Sequence, residues 1–65
     1  MSLLHLKNIR AYNEAELHAA VREVIKLQCK LTLGEMHAIT RTIYDRAKEI
    51  GASIDRLNQI ARGEK

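Results

Sequence analysis

Few of the 65 side chains are of the types that perform covalent or metal chemistry. The one thiol is Cys29, and the imidazoles are His5, His18 and His37. Gathered at one point they would suit a zinc ion. Their spacing matches no zinc pattern, however, and they fall on separate elements or different helix faces, so no metal site is expected. Cys29 with a histidine and an acid would be a thiol nucleophile, but a chain of this length leaves no substrate pocket of ordinary size. The carboxylates are Glu14, Glu16, Glu23, Glu35, Asp45, Glu49, Asp55 and Glu64. Most stand at helix starts or beside bases, where capping and surface pairing account for them. Asp45 follows Arg41 by four residues, and Glu49 follows Arg46 by three. The expectation is a non-enzyme with no catalytic residue, no cofactor and no small-molecule substrate.

What is left is the chemistry of recognition. Arg22, Lys26 and Lys30 recur once per helical turn, and three cations along about 12 Å of helix can follow a phosphate backbone. The same ridge also serves as an ordinary solvated helix face. Near the C-terminus, Asp55, Arg56, Asn58, Gln59 and Arg62 offer groups able to hydrogen-bond base edges or phosphates in a major groove. Eleven Lys and Arg against eight Asp and Glu give a net charge of +3, which permits an anionic partner without requiring one. Two tyrosines, with no Phe and no Trp, cannot build the stacking platform of single-strand binders.

These side chains need helices to position them. Asn13 is an N-cap, with Glu14 and Glu16 in the first turn where the helix dipole favours acids. Leu17, Ala20, Val21, Val24, Leu27 and Leu31 then recur at three- and four-residue spacing, which predicts an amphipathic helix over about 14–31. Gln28 falls within its apolar face, where a polar side chain can set the register of a dimer. Thr32 and Glu35 have capping-box spacing and start a second helix over 33–50. Its inner stripe is Met36, Thr40, Ile43, Ala47 and Ile50, flanked by Ile39 and Tyr44. Thr42 and Asp45 are spaced as another capping box, so a break near Thr40 is an alternative. Gly51 suits the left-handed position that ends a helix. Ser53 caps a third helix over 54–62, with Ile54, Leu57, Ile60 and Ala61 as its apolar set. Residues 1–12 form an N-terminal arm. Leu4 and Leu6 alternate with His5 and Lys7 as in a strand, while Leu3, Leu6 and Ile9 share a helical face, and the helical or irregular reading is preferred. The fold class is all-α, a single small helical domain over 1–65.

Ala47, Gly51, Ser53, Leu57, Ile60, Arg62 and Gly63 together have the spacing of a helix-turn-helix. A small residue at 47 allows a close crossing, Gly51 supplies a positive φ, Ser53 caps the second helix, and Leu57 and Ile60 pin it to the first. Residues 47–65 thus resemble the helix-turn-helix of phage-repressor-type regulators. The resemblance implies that 54–62 is a recognition helix with Asp55, Arg56 and Asn58 facing the groove. Arg46 stands where that family has an apolar residue, and Ala52 is smaller than its usual branched aliphatic. The run 57–62 is also similar to the tail of plasmid mobilisation accessory proteins, which bind DNA.

Size and compartment complete the expectation. A chain this short, without large aromatic rings, has a marginal core, so a homodimer is expected. Leu17, Val21, Val24, Gln28 and Leu31 are the candidate interface for a second copy or a partner protein. No apolar run approaches the length that spans a membrane, no signal peptide is read at the start, and a lone cysteine makes no internal disulfide. A cytoplasmic location follows. Two functions remain open: a DNA-binding regulator of phage or plasmid type acting on double-stranded DNA, or a helical module that docks on a partner protein and binds no nucleic acid, as small inhibitors, adaptors or antitoxin-like proteins do. A strand in the arm would instead suggest a ribbon-helix-helix dimer reading DNA through His5 and Lys7.

Overall fold

Each of the three longer helices begins where the sequence supplies a side-chain oxygen to its free amides. In the computed structural model, which describes residues 4–63, these are α2 (Glu14–Leu27), α3 (Leu33–Ile50) and α4 (Ile54–Ala61), preceded by a single helical turn, α1 (Leu6–Ile9). Asn13 Oδ1 accepts from the Glu16 amide while Glu16 Oε1 accepts from the Asn13 amide, both at 2.9 Å. Thr32 and Glu35 repeat that capping box on α3, at 3.1 and 2.9 Å. Ser53 Oγ accepts from the Arg56 amide at 3.2 Å to open α4.

The helix ends are less uniform. Gly51, at φ 71° and ψ 23°, closes α3 in the left-handed conformation. Its amide donates to the Lys48 carbonyl at 3.3 Å and the Ala52 amide to the Ala47 carbonyl at 2.8 Å, a Schellman closure. α2 ends earlier than its periodicity predicts, at Leu27 rather than 31. The Lys30 amide folds back onto the Leu27 carbonyl at 2.8 Å, turning the chain toward the Thr32 cap. Gln28 thereby becomes an exposed C-cap residue and not part of an apolar seam. Lys30 leaves the helix with it, so the cationic ridge reduces to Arg22 and Lys26 on α2, with Lys30 on the turn.

α2 packs on both α3 and α4, α1 packs on α3, and α3 on α4. The core they enclose consists of Leu4, Ile9, Tyr12, Leu17, Ala20, Val21, Val24, Ile39, Ile43, Ala47, Leu57 and Ile60. Leu17, Val21 and Val24 are therefore spent inside the chain, and Leu31 is half-buried against the same core. The dimer face expected on α2 does not exist as a free surface. α3 runs unbroken through Thr40. Thr42 does not cap a new helix, because its Oγ1 donates to the Ala38 carbonyl one turn back at 2.8 Å. The inward stripe of α3 is Ile39, Ile43 and Ala47, with Thr40 and Ile50 exposed and Met36 half-buried.

The N-terminal arm is part of this core and not an appendage. Leu4, Ile9 and Tyr12 are buried, and the segment forms a helical turn, with no strand among the described residues. Arg46 ties it down: its Nε donates to the Tyr12 carbonyl at 2.8 Å and its Nη1 to Glu49 Oε1 at 2.8 Å. Leu3, which the sequence placed on a helical face with Leu6 and Ile9, and Glu64 lie outside the described residues. No helix among the described residues is long and apolar enough to cross a membrane.

Candidate nucleic-acid interface

The candidate site is built on α4, an eight-residue helix whose Leu57 and Ile60 point into the core. With two positions so fixed, helical geometry turns Asp55, Arg56 and Gln59 outward, and these three and the C-cap Arg62 are exposed. Asn58 departs from the expected pattern. It is half-buried, and its Oδ1 accepts a hydrogen bond from the Tyr44 hydroxyl of α3. A side chain engaged with its own scaffold is not free to read a base edge, so Asn58 belongs to the support of α4.

Charge is unevenly spread along α4. At its start the Ser53 amide donates to Glu14 Oε2 of α2 at 3.3 Å, and Asp55 occupies the first turn. Both carboxylates suit the positive end of the helix dipole, and both repel a phosphate approaching there. Toward its other end the sign reverses. Arg56 Nη1 donates to Gln59 Oε1 at 3.3 Å, presenting the two side chains as one hydrogen-bonding unit, and Arg62 follows at the C-cap. Arg22, Ile25 and Lys26 of α2 face Ile60 and Gly63 across a surface cleft of about 310 Å³. The structure thus brings two of the three predicted ridge cations beside the C-terminal half of α4, a proximity with no trace in sequence spacing.

The potential metal ligands are not brought together. Cys29, His5 and His37 are exposed on different segments, and no cluster of three or more His, Cys, Asp or Glu side chains occurs among the described residues. His18 Nε2 is buried and has no hydrogen-bond partner among the described residues. Of the two expected pairs of Arg with an acid on α3, Arg46 with Glu49 forms an ion pair at 2.8 Å.

Three polar contacts between elements were not legible in the sequence. Glu14 was legible as a first-turn acid of α2, but its reach to α4 depends on how the two helices cross. Tyr44 looked like a flanking apolar residue, and its hydroxyl was the only hint of a polar role. Arg46 stood out as a departure from the family pattern, and the carbonyl that it serves lies 34 residues away. Comparison of the chain with known protein families, with curated proteins and with solved structures gives no match.

Proposed function

We propose that this chain is a small non-enzymatic DNA-binding regulator that meets duplex DNA through the C-terminal half of α4 and the adjoining edge of α2. The observation that carries this reading is the exposure of Arg56, Gln59 and Arg62 on and just after α4, with Arg22 and Lys26 of α2 lining a cleft against Ile60 and Gly63, on a helix–turn–helix closed by left-handed Gly51. Arg56 and Gln59 come from a helix of eight residues held by two buried anchors, Leu57 and Ile60, and Arg62 is its C-cap. Such a rigid mount suits insertion into a groove. Arg22 and Lys26, set beside it, supply the phosphate contacts that fix register without reading sequence. Glu14 and Asp55 favour an approach led by the C-terminal half of α4 over one led by its start.

Equilibrium binding to mixed-sequence duplex DNA tests this. Four cations on phosphate give a slope of log K against log salt of roughly −3 to −4, about a hundredfold loss between about 50 and 200 mM. Arg56→Ala with Arg62→Ala should abolish the complex at unchanged helicity. A chain that binds no duplex at low salt is instead the alternative module, with a protein partner only.

A further inference from the structure

A second surface, which touches α2 only at Leu27, shares no residue with the cleft beside α4. Leu4 and Leu6, Leu27 and Leu31, and Ala38 and Ile39 line an apolar groove of about 660 Å³ between the N-terminal segment, the α2–α3 turn and α3. We propose that this groove receives an amphipathic helix of a partner protein whose apolar stripe is bordered by acidic residues. This inference is independent of the DNA reading.

Shape and charge both point to that occupant. Six of the ten residues along the groove, among them Leu6 and Ala38, are exposed, so it is too open to enclose a small molecule. An open apolar groove bordered by helical segments can take the apolar stripe of a partner helix, with residues at i, i+3, i+4 and i+7. Its border carries Lys7 and Arg10, one turn apart, and among the described residues neither makes an ion pair. The single carboxylate along it, Glu35, has an oxygen engaged by the Thr32 amide at 2.9 Å. An incoming stripe with acidic borders would satisfy both cations. A second copy fits poorly, because a two-fold interface on this patch would bring Lys7 and Arg10 of each copy toward the same cations of the other, on chains each carrying +3.

The test is selection on the full chain from a displayed library of helical peptides of about four turns, randomised on all faces. The expected winners carry apolar residues at i, i+3, i+4 and i+7 with Asp or Glu beside them, and their amide shift perturbations map to Leu6, Leu31 and Ala38. Ala38→Glu, at an exposed helix position, should abolish binding with the circular dichroism unchanged. Lys7→Glu with Arg10→Glu should weaken it roughly tenfold, mainly through the association rate. Arg56→Ala with Arg62→Ala should leave it intact, which separates this result from any failure of DNA binding. The proposal is overturned if no peptide is enriched, if the winners are neutral or basic, or if the shifts map to α4. It is equally overturned by a concentration-dependent dimer that Ala38→Glu disrupts, since a second copy would then be the occupant. Binding only after removal of residues 1–3 would assign the groove to the chain's own N-terminus and overturn it too.

Discussion

Two polar side chains, Asn58 and Arg46, hold the helices of this chain in place, and sequence alone assigned neither that role. Asn58 lies on the helix expected to read DNA, yet it accepts from the Tyr44 hydroxyl and joins α4 to α3. Tyr44→Phe and Asn58→Ala should each cost about 1 kcal/mol in urea denaturation, and a double-mutant cycle should show that the two losses are one interaction. Neither should change the salt slope of DNA binding, whereas Arg22→Ala or Lys26→Ala should each reduce it by about 1. Arg46 gives a sharper case, because its guanidinium bonds a backbone carbonyl and a carboxylate at once. Arg46→Ala should destabilise by about 1.5–3 kcal/mol, the range for hydrogen bonds to charged groups, read as a lower urea midpoint at unchanged slope. Both roles were illegible for one reason. A polar side chain's partner is named by tertiary geometry, while its spacing along the helix describes only the face on which it starts.

At the scale of elements the reading succeeded where local chemistry decides. Asn13, Thr32 and Ser53 cap the helices they were expected to cap, because a side-chain oxygen and an amide a few residues on lie within reach in any context. Thr32→Ala should cost about 1 kcal/mol in thermal unfolding. Gly51 was legible for the same reason, since only the left-handed conformation closes α3 over three residues. Beyond its chain neighbours, a Cβ at Gly51 would meet no atom within 4 Å, so Gly51→Ala tests the backbone conformation and should cost roughly 1–2 kcal/mol. The reading failed where two local signals competed. Leu31 continues the apolar period of α2, and the chain nevertheless leaves the helix after Leu27 to reach the Thr32 cap. Thr42 and Asp45 have capping-box spacing in the middle of α3, and the continuous packing of Ile39, Ile43 and Ala47 overrides it.

The molecule measures 30 × 29 × 19 Å, and among its described residues twelve form a core that draws in every element, including the segment that looked like an arm. A core in so short a chain supplies only about 3–5 kcal/mol, and truncating a fully buried leucine removes about 2–5 kcal/mol. Leu17→Ala and Leu57→Ala should therefore leave the chain largely unfolded by circular dichroism. Leu33→Ala, at a position 73% exposed, should be nearly silent. That contrast also bears on assembly, because a stripe already buried in its own fold cannot serve a second copy. Periodicity and contacts within a few residues were enough to specify an all-α chain, the starts of its three longer helices, the turn at Gly51 and the polar side chains on and just after α4. Tertiary structure alone decided that the α2 stripe is core, that Asn58 supports α4, and that Arg22 and Lys26 stand beside its C-terminal half. Each of those depends on which helix crosses which, and at what point. Spacing along one helix carries no record of its neighbours.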